Sequence, residues 1–151
     1  MSSDFDSDVE ITIRSPFASD VKHVKRLLHA AGLPTDDLQA DMLAYVAEAN
    51  GLPIGAIGIE TFGSMALLRS LIIDSEFRGG GFGSFLVERL ENLARNRGVS
   101  ELWLLTIDAD AWFQKLGYRA MSREHAPAEI TATAEFSSLC PDDAVLMQKR
   151  L

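Results

Sequence analysis

MALLRSLIIDSEFRGGGFGSF, residues 65–85, carries the densest signal in this chain. It opens as an apolar run, Met65 to Ile73, interrupted by one charge, Arg69, and such a run suits a central strand covered on both faces. After the turn AspSerGluPhe comes Arg78, then a knot of glycines at 79, 80, 81 and 83, which are four of the chain's 11. A helical repeat departs from them. Glycines lack Cβ, so successive amides can turn toward one point, and the helix N-terminus adds about half a positive charge. The ligand suited to such a nest is a phosphate or pyrophosphate. A Walker A loop would need a lysine and Ser/Thr after the last glycine, whereas Ser84 and Phe85 follow here. A dinucleotide fingerprint would need GxGxxG and an acidic residue closing the next strand, which is also missing. The alternative is a glycine-rich turn that only packs strand against helix.

Upstream of this stretch, residues 9–13 alternate as a half-buried strand does, and Ser19 or Asp20 can cap a helix with Val21, Val24, Leu27, Leu28 and Ala31 on one face. Gly32 and Pro34 end it. Residues 42–48 and 52–60 flank Asn50-Gly51 and read as a hairpin, and a turn at Phe62, Gly63 and Ser64 leads into residues 65–73. Downstream, Phe82, Phe85, Leu86, Leu90, Leu93 and Ala94 recur at helical spacing, with Glu88, Arg89, Glu91 and Arg95 on the opposite side. Gly98 stops that helix. Residues 101–107 read as a buried strand, 109–116 as a short helix closed by Gly117, 118–121 as a strand, a weak helix begins with Pro127 at its first position, and 144–148 form a last strand. This order predicts an α/β fold of the mixed α+β kind: one mixed sheet flanked by helices.

Composition narrows the partners. A chain of 151 residues with 47% hydrophobic content supports one compact domain, assigned to residues 9–151, behind a flexible acidic tail, residues 1–8. The net charge of −8, from 14 Lys+Arg and 22 Asp+Glu, lacks the basic footprint of a nucleic-acid or polybasic membrane binder. No apolar run reaches the length that spans a bilayer, so no membrane partner is expected and the cytoplasm is the expected compartment. The single Cys140 has no metal-ligand pattern around it, His23 and His29 are not spaced to share a ligand face, and His125 lies in a polar stretch; no metal is expected.

Arg78-x-x-Gly81-x-Gly83 resembles the R/Q-x-x-G-x-G/A loop of the GCN5-related N-acetyltransferase (GNAT) superfamily, which binds the pyrophosphate of coenzyme A. The strand before the loop, the helix and strand after it, and WFQKLGY at 112–118 follow that superfamily's order over residues 9–121. The resemblance implies the acyl-CoA N-acyltransferase fold, with the central mixed sheet splayed between its fourth strand (65–73) and fifth (101–107), and acetyl-CoA as cofactor. It further implies that the amides of Arg78, Gly79, Gly80, Gly81, Phe82, Gly83 and Ser84 hold pyrophosphate. In the same way it implies that the backbone of Leu71, Ile72 and Ile73 pairs with pantetheine, as an added strand would, and that a fourth-strand amide serves the thioester oxygen. WFQKLGY and Leu105-Thr106 are similar to amino-acid N-acetyltransferases, including the acetyltransferase domain of N-acetylglutamate synthases. SSLCP (137–141), AVLM (144–147), Arg69-Ser70-Leu71 and Gly32-Leu33-Pro34 resemble small N-acetyltransferases associated with arsenic-resistance operons.

Acetyl transfer to an amine needs a neutral nitrogen, a carbonyl polariser and a proton source for the thiolate. Where many members of the superfamily carry a general-acid tyrosine, this chain has Phe113; Tyr118 is the remaining catalytic candidate, or else a structural aromatic. Glu60, ending the third strand, is the best carboxylate for a base, acting through water, or else an ordinary strand-end charge. Arg69 in an apolar strand needs an anion. That anion is either a substrate carboxylate matched to its planar fork or an internal partner such as Asp74, Glu60 or a loop acid. Thr106 is a candidate for coenzyme A or substrate contact, or a plain strand threonine. Thr35 and Ser138, in loops that the resemblance brings over the acceptor pocket, are candidates for substrate binding. The expectation is direct acetyl transfer from acetyl-CoA to the primary amine of a small amino-acid-like substrate. A protein N-terminus, a polyamine, or a non-catalytic acyl-CoA sensor are the alternatives, and a homodimer is allowed.

Overall fold

The computed structural model describes residues 10–33, 35–136 and 143–151. Seven strands and four α-helices follow one another along them: β1 (Ile11–Arg14), α1 (Asp20–Ala30), β2 (Leu43–Ala49), β3 (Leu52–Phe62), β4 (Met65–Ile73), α2 (Phe82–Asn96), β5 (Glu101–Thr106), α3 (Asp110–Lys115), β6 (Arg119–Met121), α4 (Ala128–Thr131) and β7 (Val145–Arg150). The strands hydrogen-bond in the order β1-β2-β3-β4-β5-β7-β6, and the sheet is mixed: β4 runs parallel to β5, while β5 and β6 are antiparallel to β7. This is the mixed α/β architecture that the sequence predicts. No helix among the described residues is long and apolar enough to cross a membrane.

The chain divides into two compact units, one holding the described residues up to Gly58 with Ser70–Val87, the other Ile59–Arg69 and the described residues from Glu88 onward. In the first, Val24 and Leu28 of α1 are fully buried in a cluster with Leu38, Leu43, Val46, Ala56 and Ile72. Each such leucine contributes about 2 kcal/mol of burial. The start of α1 differs from expectation: Ser19 makes no side-chain cap. Instead the Asp20 carboxylate accepts from the Phe17 amide (2.6 Å) and from both terminal nitrogens of Arg14 (2.8 and 3.0 Å), and Arg14 also pairs with Glu48. The hydrogen bonds from the Arg14 guanidinium hold the Asp20 carboxyl below the usual carboxylate range. Helix α1 ends with the Leu33 amide bonded to the Leu28 carbonyl (2.9 Å) and the Gly32 amide to that of His29 (3.0 Å), a Schellman closure. The β2–β3 hairpin turns at Asn50-Gly51, with Ala49 opposite Leu52, as read from the sequence.

In the second unit, β5 pairs with β7 at six positions, Glu101↔Arg150 to Thr106↔Val145, whereas its parallel ladder with β4 has three, Met65↔Glu101 to Leu67↔Trp103. Leu67, Trp103, Ile130 and Leu146 form its apolar cluster, with Phe62, Met65, Leu105 and Phe136 packed around them. The weak helix near residue 127 is a single turn, and Pro127 is its cap, not its first residue. Thr131 and Thr133 return their hydroxyls to the carbonyls of Ala128 and Ile130 (3.0 and 2.7 Å), which competes with continuation of the helix.

Candidate active site

Strand β4 is not regular. Ser70 sits in the left-handed region at φ 57° inside the strand, a conformation that costs a residue with a side chain about 1–3 kcal/mol. The strand continues beyond it through Leu71 and Ile73, both partly buried, and Ile72, buried. Opposite its end, Gly55 leaves the space that the Ile73 side chain and the Ile72 carbonyl occupy; a Cβ there would come within 2.7 Å of Ile73 Cδ1 and 3.0 Å of that oxygen.

A 3-10 turn, Ser75–Phe77, capped by the Asp74 carboxylate on the Glu76 amide, leads to the glycine loop. Gly79 and Gly81 adopt φ 87° and 82°, with no atom within 4 Å of where a Cβ would stand; the requirement there is conformational, not steric. At Gly80 a Cβ would meet the far edge of the Phe82 ring at 2.7 Å, so that side chain would have to shift. The Phe85 amide makes the first bond of α2, to the Gly81 carbonyl (3.2 Å), so the amides at its start have no helical acceptor. Arg78 Nε donates to the Ile73 carbonyl at 3.3 Å, tying the first residue of the loop to the end of β4. Arg78, Gly79, Gly80, Gly81 and Ser84 are exposed. Of the seven residues assigned from the sequence to a pyrophosphate, Arg78–Gly81 form an open turn and Phe82, Gly83 and Ser84 open the 15-residue helix that follows.

In the second unit, Arg69 Nη1 donates to Glu60 Oε2 at 2.9 Å, with side-chain exposures of 0% and 17%. Of the anions weighed for Arg69, Glu60 is one that the structure places against it. Tyr118 is buried and donates its hydroxyl to Glu91 Oε2 at 2.9 Å. The Lys149 ammonium reaches the same carboxylate (3.0 and 3.1 Å), the Leu116 carbonyl (2.8 Å) and the face of the Tyr118 ring. Burial first, then the Glu91 charge and the hydrogen bond to it, push the Tyr118 hydroxyl far above its ordinary range. Phe113, at the superfamily's acid position, is core: it meets Trp112 and Tyr118 edge-on, with centroids at 4.9 and 5.5 Å.

Thr106 Oγ1 accepts from the Ala109 amide (3.0 Å) and so caps the turn before α3. Thr35 is partly buried, its carbonyl accepting from Leu38. Ser138 and Cys140 lie outside the described residues. Among those described, no group of His, Cys, Asp and Glu is arranged to hold a metal. The sequence reading missed Glu91 and Lys149. The sequence pattern puts Glu91 on the polar side of α2, but it stands four residues after Val87 and three before Ala94, both buried, and that spacing is the available signal.

A strand that leads into an open glycine turn at the start of a helix, set in a mixed sheet, defines an α/β protein. The acetyltransferase (GNAT) family profile matches residues 12–118, and the chain belongs to that family. An uncharacterized N-acetyltransferase of Chlorobaculum tepidum, CT2212, is 34% identical over 87 residues, covering 57% of this chain and 56% of that one. An amino-acid acetyltransferase of Pseudomonas paraeruginosa is 39% identical over 69 residues, covering 46% of this chain and 16% of that one. The chain therefore spans about half and about a sixth of these curated relatives. Among solved structures, N-acetylglutamate synthase from Neisseria gonorrhoeae, complexed with coenzyme A and N-acetylglutamate, superposes with a TM-score of 0.80 at 20% identity, covering 94% of this chain and 35% of that one.

Proposed function

We propose that this chain transfers the acetyl group of acetyl-CoA to the primary amine of a small amino-acid-like substrate. The observation that carries the reading is the Arg78–Ser84 turn, whose left-handed Gly79 and Gly81 and uncapped helix amides form a cradle for a pyrophosphate. Family membership and a structural neighbour that binds coenzyme A support the cofactor, and relatives named amino-acid acetyltransferase support the acceptor class.

In this reading the loop amides and the α2 dipole hold the diphosphate, and the backbone of Leu71–Ile73 holds the pantetheine arm. Bound acetyl-CoA supplies a thioester whose carbonyl is open to attack. The neutral amine nitrogen forms the new N–C bond as the C–S bond breaks. Glu60 accepts the proton that nitrogen loses, directly or through water, and the released thiolate takes a proton from solvent. Tyr118 and Thr106 act as structural anchors, through Glu91 and the Ala109 amide.

Gly81→Ala tests the cradle. It forces an alanine into a left-handed conformation that costs about 1–2 kcal/mol, with no clash to relieve. The expected result by calorimetry is coenzyme A binding weakened about tenfold, with an α/β circular dichroism spectrum retained. Unchanged affinity would remove the loop from the site.

A further inference from the structure

Glu60 and Phe62 on β3, and Met65, Leu67 and Arg69 on β4, fall on alternate positions and so on one face of each strand. Phe62, Met65 and Leu67 belong to the apolar cluster of Trp103 and Leu146. The Glu60–Arg69 pair stands at the end of that apolar face. Arg69 is wholly enclosed, and separating a buried guanidinium from its carboxylate is expensive, so Glu60 is held by Oε2. Glu60 itself keeps some exposure, and among the described residues its other oxygen, Oε1, takes no hydrogen bond. A carboxylate fixed at one oxygen and open at the other matches an amine or ammonium donor.

We infer that Arg69 is a positioning residue: it clamps Glu60 so that Oε1 accepts from the acceptor's amino group, and this end of the face recognises the substrate's amine and not its carboxylate. The inference rests on the acetyl-transfer reading above and adds the polarity of the acceptor site. Arg69 acts through Glu60 and touches no substrate atom.

The test is a kinetic cycle with Arg69→Met, Arg69→Lys, Glu60→Gln and Arg69→Met/Glu60→Gln. Thiol release from acetyl-CoA is followed with glutamate, methionine sulfone and phosphinothricin as acceptors, each beside its α-carboxamide. Arg69→Met is expected to lower kcat about tenfold or more with KM nearly unchanged, equally for acid and amide. Arg69→Lys is expected to recover part of the loss, and the double variant to be no worse than Glu60→Gln alone. A rise in KM for the acid but not its amide would show Arg69 binding the carboxylate, and losses that add would show two independent residues; either overturns the inference. Should Arg69→Met not fold, Arg69→Lys decides: reduced kcat at constant KM upholds it and a raised KM overturns it. Failure of the reading beneath it looks different: wild-type protein turns over no acceptor, or Glu60→Gln keeps full kcat.

Discussion

Tyr118 shows how far residue identity alone reaches. Its position after Gly117 is plain in the sequence, but its role is set by Glu91, 27 positions earlier, and Lys149, 31 later, a meeting that only the tertiary fold creates. The folded state keeps the phenolic proton well above the ordinary value of 10.0 at which the unfolded chain would release it. The hydroxyl's contribution is therefore fully present below pH 10 and is lost as pH rises from there toward the folded value, with a slope approaching about 1.4 kcal/mol per pH unit. Thermal melts between pH 8 and 11 should show a fall in Tm above pH 10 that Tyr118→Phe lacks. An equal fall in both proteins would mean that the hydroxyl is not held as described. Arg69 was more legible, since a cation in an apolar strand demands an anion. Its partner was one of several acids in the sequence, and burial selects Glu60.

At the scale of elements, periodicity located the seven strands and α1 to α3 among the described residues to within a few residues, because β2, β3 and β4 are bounded by turn residues and α1 and α2 carry long apolar stripes. The short elements were harder. Helix α4 shrank to one turn where threonine hydroxyls compete for carbonyls, and β4 hides a left-handed Ser70 that no residue pattern announces. The loop was readable as a tight turn because residues with side chains avoid the left-handed conformation that Gly79 and Gly81 adopt. Helix α2 and strand β7 are joined by the Lys149–Glu91 pair, with side-chain exposures of 23% and 8%. Lys149→Met should cost about 2–4 kcal/mol in urea unfolding, because it strands a buried carboxylate. Glu91→Gln/Lys149→Met should recover part of that loss, and a single variant as stable as wild type would refute the pair's structural role.

For the molecule as a whole, a net charge of −8 still argues against nucleic acid, yet coenzyme A is itself an anion. In the proposed reading, backbone amides and a helix dipole reconcile the two, because they would hold the diphosphate at Arg78–Ser84 without requiring basic side chains elsewhere. The fold class was legible because strand and helix order is a low-resolution property of hydropathy, and the family because its signature is backbone geometry written as glycines. The acceptor was not legible, because it depends on side chains brought together from distant segments. The most direct measurement is thiol release from acetyl-CoA by purified protein across a panel of amino acids, with the acetylated product identified by mass. The account predicts saturable, amine-dependent release with at least one amino acid and almost none without an acceptor. Tight coenzyme A binding with no amine-dependent release would contradict it and make this chain an acyl-CoA-binding domain without catalysis.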